Sequence, residues 1–189
     1  MKYGKNYLRN KFLLKRKKKH TSKEKFNFTL IFNLIKKHFG NKKIIIGGYY
    51  PSNYEVDILN FLKEASKKKF RITLPVVQSS TLMCFRLWKI KEPLYVSRFG
   101  ILETENKKKE IIPDFIIVPL VAFDGRLNRI GYGKGYYDRS LRKIKKIKKK
   151  AVFLGMAYNF QKYKSIPINK YDFKLDYIFT EQGIISSNK

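Results

Sequence analysis

Three glycines alternate at positions 131, 133 and 135, near the end of the string VPLVAFDGRLNRIGYGKGYYD from Val118 to Asp138. Glycine has no Cβ, so backbone amides in such a loop can approach a polyanion closely. Successive N–H groups there form an anion-binding nest, strengthened by the positive end of the helix that follows. Arg129 and Lys134 add two full charges, and Asp138 offers a hard oxygen to a divalent cation. Together these residue types can hold a nucleotide triphosphate with its metal. The loop is not a P-loop, because Gly135 rather than Ser or Thr follows Lys134. Nor is it a dinucleotide fingerprint, since the third glycine comes one residue early and two cations crowd it.

The elements that must position this loop follow from the apolar pattern. Phe115 to Val118, ending at Pro119, is a wholly apolar run, as expected of a strand buried on both faces. Beyond the glycines, Tyr137, Leu141, Ile144 and Ile147 form a helical stripe whose lysine-rich end suits the helix dipole. Upstream, Lys5 to Lys19 reads as a first helix with apolar Tyr7, Leu8, Phe12 and Leu14. It is rich in Lys rather than in Arg and Ser, which argues against a cleaved mitochondrial presequence. Thr21-x-x-Glu24 predicts a capping box opening a second helix, striped by Phe28, Phe32, Ile35 and Phe39 and ended by Gly40-Asn41. Ile44 to Ile46 reads as a short buried strand, Val56 to Lys68 as a helix, and Phe70 to Val77 as the next strand. Met83 to Ile90 continues as strand with Trp88 as core. Residues 91–110 read as an irregular surface excursion, and 151–157 and 175–179 as further strands.

Strand and helix alternate without repeat or linker. The expected class is therefore α/β: one three-layer α/β/α domain with a mostly parallel central sheet over residues 1–189, residues 1–20 being a basic helix within it. Ligands in such sheets bind beyond the carboxyl ends of the strands. The segment Tyr50 to Glu55 follows one strand and the glycine loop follows another, so both can face one cleft, whereas Asp172 must reach it from elsewhere in the chain.

Composition bounds the alternatives. A hydrophobic content of 43% with 15% aromatics argues for a packed globule. The single Cys84 can make no internal disulfide, which suits a reducing cytoplasm. His20 and His38 are scattered among cations and read as surface residues rather than zinc ligands. The longest apolar stretch, Phe115 to Phe123, contains Pro119 and is too short to span a bilayer. The net charge of +29 admits two readings. One is nucleic-acid binding through phosphate neutralisation. The other is a solvated surface in a chain skewed towards Lys, Ile, Asn, Phe and Tyr. Lysine clusters recur at 15–19, 67–69, 107–109 and 143–150 with no face obviously selected, which favours the second reading and leaves weak, incidental polyanion binding.

The 118–138 string resembles the signature of the 5-formyltetrahydrofolate cyclo-ligases, and the resemblance covers almost the whole chain. Lys5-Asn6-Tyr7-Leu8-Arg9 is similar to the family's Lys/Arg-x-x-x-Arg on its first helix, and Tyr50-Pro51-Ser52-Asn53-Tyr54-Glu55-Val56-Asp57 to its Tyr-Pro…Glu-Val segment. Leu74-Pro75-Val76-Val77 and Met83-Cys84-Phe85 match central strands. Ile166-Pro167, Tyr171-Asp172, Leu175-Asp176 and Thr180-Glu181 match the closing pattern. In two places the chain departs from it. Leu127 stands where the family has a glycine two residues before the loop arginine, with Gly125 earlier, which predicts a shifted turn. The family's Gly-Ile-x-Glu-Pro reads Gly100-Ile101-Leu102-Glu103-Thr104, so Glu103 is given no catalytic role.

The resemblance implies closure of 5-formyltetrahydrofolate, polyglutamylated forms included, to 5,10-methenyltetrahydrofolate, with ATP as co-substrate and release of ADP and phosphate. It implies Lys134 and Arg129 as the catalytic cations, and Lys5, Arg9, Arg129, Ile130, Gly131, Tyr132, Gly133, Lys134, Gly135, Tyr136 and Tyr137 around ATP. Tyr50, Glu55, Tyr132 and Tyr136 are assigned to the folate, and Asp138 and Asp172 to Mg2+. The rival role for Glu55 is a carboxylate at the start of the helix near Val56. A cytoplasmic monomer is expected. The rival functions are a basic RNA- or ribosome-associated protein without folate activity, and a sugar-phosphate isomerase or CoA-transferase relative on the same architecture.

Overall fold

The structure, a computed structural model, describes residues 3–19, 24–97, 100–105 and 108–187. His20 and the Thr21 end of the expected capping box lie outside these residues. Helices α1 (Lys5–Lys19) and α2 (Thr29–Phe39) precede strand β1 (Ile45–Gly47), and α3 (Leu59–Lys67) leads to β2 (Arg71–Val77) and β3 (Met83–Leu87). The excursion at 91–110 carries a two-stranded ribbon, β4 (Tyr95–Val96) with β5 (Leu102–Glu103). Strand β6 (Phe115–Pro119), the hairpin β7 (Ala122–Phe123) and β8 (Arg129–Ile130), helix α4 (Tyr136–Ile147), and strands β9 (Val152–Met156), β10 (Tyr177–Thr180) and β11 (Gly183–Ser186) complete the order.

Two helices begin later than their sequence pattern suggests, and in each a short polar side chain accepts the N–H of the first helical residue. Asn27 Oδ1 takes Thr29 N–H at 3.2 Å, and Asp57 Oδ1 takes Leu59 N–H at 2.8 Å. The deepest residues of α2 are Ile31, Leu34 and Ile35, with Phe28, Phe32 and Phe39 packed half-buried on their flank.

The seven-stranded sheet has the order β11-β10-β9-β6-β1-β2-β3. Neighbours from β10 to β2 run parallel, and the two edges, β3 and β11, run antiparallel to their partners. Side chains alternate across it. On β6, Phe115 and Ile117 join one core with Ile35 and Phe61 from α2 and α3. Ile116 and Val118 join the opposite core with Leu141 and Ile144 from α4. Each fully buried side chain of this size is worth roughly 1.5–3 kcal/mol, so a one-residue slip that exchanged the two faces is strongly disfavoured. The expected three-layer sandwich results.

Helix α1 stands apart from these layers. Leu8 and Phe12 pack on Val121, Ala122, Ile130 and Ile166, so the helix covers the β7–β8 hairpin just beyond the carboxyl end of β6. The turn inside that hairpin is organised by the buried Asp124. Its carboxylate accepts the N–H groups of Arg126, Asn128 and Ile166 at 3.0, 3.1 and 2.9 Å. Leu127 does not push the turn elsewhere; it adopts φ +68° itself, a left-handed conformation suited to glycine, while its side chain is 1% exposed.

Strain and burial therefore oppose each other at Leu127. Leu127→Ala should lose about 2–5 kcal/mol, because burial goes and the left-handed strain stays. Leu127→Gly also sheds that strain and should be about 1 kcal/mol more stable than the alanine variant in denaturant unfolding. A glycine variant less stable than the alanine one would refute this account of the turn.

Candidate active site

Two segments that follow the neighbouring parallel strands β1 and β6, the second by way of the β7–β8 hairpin, meet. The first follows β1 and turns sharply at Ser52–Glu55, where Glu55 N–H donates to Ser52 O at 2.9 Å. Its central residues, Asn53 and Tyr54, have φ of 47° and 60°, the signs of a type I′ turn. The reversal swings Glu55 inward to 7% exposure. There Oε2 accepts Ser52 N–H at 2.9 Å and Oε1 accepts the Tyr132 hydroxyl at 2.7 Å. Burial pushes the Glu55 carboxyl above its ordinary range, while the bonds from Ser52 and Tyr132 and the charge of Arg16 pull it back. The helix-start role for Glu55 is not taken up, since α3 begins at Leu59 with Asp57 at its end.

The second loop is the glycine run between β8 and α4. Each glycine lies against an arginine side chain. A Cβ on Gly131 would stand 3.0 Å from Arg129 Nη1, one on Gly133 3.2 Å from Arg9 Cζ, and one on Gly135 2.7 Å from Arg139 Nη1. Gly133 and Gly135 have φ of 98° and 69°, a backbone conformation that favours glycine, and a Cβ there would displace the end of an arginine. Arg9 donates to Gly131 O at 2.8 Å, and Arg139 to Lys134 O at 2.9 Å and Thr81 O at 2.8 Å. The missing side chains thus make room for guanidinium groups as well as exposing amides.

Opposite charges close the site. Arg129, 7% exposed, donates to Asp138 Oδ1 at 2.6 Å, and that oxygen also accepts Phe173 N–H. Lys5 pairs with Asp172 Oδ2, which brings Asp172 to the cleft from the segment before β10. Among the described residues, Asp138 Oδ2 and Asp172 Oδ1 accept no hydrogen bond. Nor do these residues gather three or more His, Cys, Asp or Glu side chains in a metal-binding group. Two hard carboxylates, each with a spare oxygen, fit Mg2+, which binds through one or two carboxylates, substrate phosphates and water.

The remaining expected residues divide. Lys134 is exposed, and its ammonium has no hydrogen bond or ion pair among the described residues. Tyr132 exposes its ring while its hydroxyl points inward to Glu55. Tyr136 donates to Ser79 O at 3.2 Å, tying the loop to the 78–82 segment. Tyr137 lies half-buried with Arg129 over its ring, and Tyr50 is half-buried at the head of the first loop. Ile130 turns its side chain into the core, and its carbonyl accepts Val121 N–H at 2.7 Å, so it meets the cleft through backbone alone. Two residues escape the sequence reading. Arg139 is masked by its place in an ordinary helical turn. Arg16 is hidden in a lysine cluster, although the 8, 12, 16 spacing places it on the buried face of α1.

With this geometry in view, the chain can be set beside known proteins. A sequence profile described as the 5-formyltetrahydrofolate cyclo-ligase family matches residues 1–181. The 5-formyltetrahydrofolate cyclo-ligase of Haemophilus influenzae is 28% identical over 133 residues, 67% of this chain and 70% of that protein. The solution structure of a 5,10-methenyltetrahydrofolate synthetase from Aquifex aeolicus superposes with a TM-score of 0.78 at 30% identity, over 98% of this chain and 93% of that one. The structure of a 5,10-methenyltetrahydrofolate synthetase from Mycoplasma pneumoniae gives 0.70 at 26% identity, covering 98% of this chain and 100% of the other. A match across nearly every residue, on the fold expected of it, means that this chain belongs to the 5-formyltetrahydrofolate cyclo-ligase family.

Proposed function

We propose that the protein converts 5-formyltetrahydrofolate to 5,10-methenyltetrahydrofolate, cleaving ATP to ADP and phosphate as it does so. Besides family membership, the observation that supports this reading is the Tyr132–Glu55 hydrogen bond. It sets the glycine–guanidinium loop, suited to phosphates, directly beside a buried carboxylate suited to the amino and ring N–H groups of a pterin.

The formyl amide oxygen is a poor leaving group. Transfer of the γ-phosphoryl group to it forms an O–P bond and breaks the bond to the β-phosphate oxygen, releasing ADP. N10 then attacks the activated formyl carbon, gives up its proton to solvent, and phosphate departs with the former formyl oxygen. The protein's share is positioning and charge neutralisation. Lys5, Arg9, Arg129 and Lys134 meet phosphate charge, with Arg129 and Lys134 at the transferring group. The backbone of Ile130, Gly131, Gly133 and Gly135 offers N–H groups, while Tyr136 and Tyr137 line the ATP side. Glu55 and Tyr50 hold the folate, with Tyr132 and Tyr136 at the join of the two ligands. Asp138 and Asp172 would hold Mg2+, directly or through water; bound there, it supplies neutralisation of the developing phosphate charge. The same two carboxylates pair with Lys5 and Arg129, which places each of these cations beside a candidate metal ligand. One chain carries every assigned residue, so a monomer suffices, and the buried thiol of Cys84 suits the cytoplasm. The lysine-rich surface adds weak, sequence-blind polyanion binding that steers ATP and polyglutamylated folate inward and fades with salt.

Phosphate release from Mg-ATP should require 5-formyltetrahydrofolate and stop when the folate is exhausted; folate-independent release would contradict the proposal. Lys134→Ala removes a cation with no packing role and should cost roughly 10²-fold in turnover at saturating ATP, with melting unchanged. Turnover within a few-fold of the parent would make Lys134 a surface cation. Glu55→Gln keeps shape and one acceptor but loses the charge. It should raise the folate KM by about tenfold or more, the scale of one charged hydrogen bond, and leave the ATP KM alone. Unchanged folate kinetics would remove Glu55 from the folate site.

A further inference from the structure

Arg16 is the largest fully buried side chain among the described residues, 1% exposed at the end of the Leu8–Phe12 face of α1. Its guanidinium donates to Leu120 O at 3.2 Å and to the Tyr132 hydroxyl, and its Nε is buried without a partner. No carboxylate pairs with it directly among the described residues, although burying a cation is costly unless its charge is met. The negative charge nearest along its hydrogen bonds is Glu55, one phenol away. A guanidinium can only donate, so the Tyr132 oxygen must accept from Arg16, which leaves its single proton for Glu55. The chain Arg16→Tyr132→Glu55 therefore has a fixed direction, and Arg16 fixes it.

We propose that Arg16 is a positioning residue for the folate half of the site, orienting the Tyr132 phenol as a donor to Glu55 and thereby fixing how the Glu55 carboxyl meets the pterin. The inference rests on the folate reading of Glu55 given above. The same chain crosses from the glycine loop to the loop after β1, so Arg16 holds together the two halves of the cleft from behind. The groups facing Glu55 are the phenols of Tyr49, Tyr132 and Tyr137 and the Arg16 guanidinium; Arg16 is the one cation among them. Its charge and the Tyr132 bond both lower a carboxyl that burial raises. Loss of either must move Glu55 upward in pKa.

The test is a double-mutant cycle on Arg16→Lys and Tyr132→Phe, with each variant's fold checked by thermal melting. Lysine keeps the charge but cannot reach Leu120 O and Tyr132 together with a rigid fork. Arg16→Lys should raise the folate KM about tenfold with the ATP KM within twofold of the parent, and should add nothing further in the Tyr132→Phe background. The acid limb of the folate kcat/KM profile should move to higher pH in both single variants, because a Glu55 of raised pKa is neutralised earlier as pH falls. Independently of folate, the 13C-observed titration of the Glu55 carboxyl should shift upward in Arg16→Lys and Tyr132→Phe. Additive effects on the folate KM, or a Glu55 titration that does not move, would overturn the role of Arg16. A Glu55 titration that moves as expected while Glu55→Gln leaves the folate KM unchanged would uphold the chain and overturn the folate reading instead.

Discussion

The architecture of the cleft turns on placing four arginines around one short loop. Arg9, Arg129 and Arg139 each lie against one of the alternating glycines, and Arg16 sits beneath Tyr132. Burying a cation is costly unless its charge and N–H groups are met, so each guanidinium needs its own anchor. The carbonyls of Gly131, Lys134, Thr81 and Leu120 and the carboxylate of Asp138 provide them. A side chain at 131, 133 or 135 would displace one of these groups. The glycine pattern thus leaves room for the cations as well as exposing amides.

The anchors also explain how the site is tied to the fold. Burial presses the Arg129 guanidinium towards a lowered pKa, and the charge of Asp138 opposes this. Helix α1 supplies Lys5, Arg9 and Arg16 while packing on the β7–β8 hairpin rather than on either face of the sheet. Its attachment by Leu8 and Phe12 therefore decides whether three of the site's cations are in place. The Asp124 turn, with Leu127 held left-handed, sets where β8 begins and hence where Arg129 points.

Much of this is readable in the sequence, for identifiable reasons. The wholly apolar runs at 44–46 and 115–118 and the stripe on α4 mark elements buried so completely that pattern alone locates them. The turn-forming stretches are less readable. The described start of α2 is at Thr29, where Asn27 Oδ1 accepts the Thr29 N–H, and β11 escapes because Gly183 turns the chain back after a strand only four residues long. The residues expected at the glycine loop are found together, but their pairing is not foreseeable. Asp138 and Asp172 look like free metal ligands in sequence, and only folding shows them neutralising Arg129 and Lys5. Arg16 has the right spacing for burial and goes unnoticed because lysines surround it.

The central claim is that one cleft joins phosphate charge and folate in a single turnover. It is tested most directly by absorbance at the methenyl-folate band after mixing the protein with 5-formyltetrahydrofolate, ATP and Mg2+, omitting each in turn. The account predicts that the band grows only when all four are present, and that heparin added at physiological salt leaves the rate unchanged. No growth with the full mixture, or growth that does not need ATP, would contradict it.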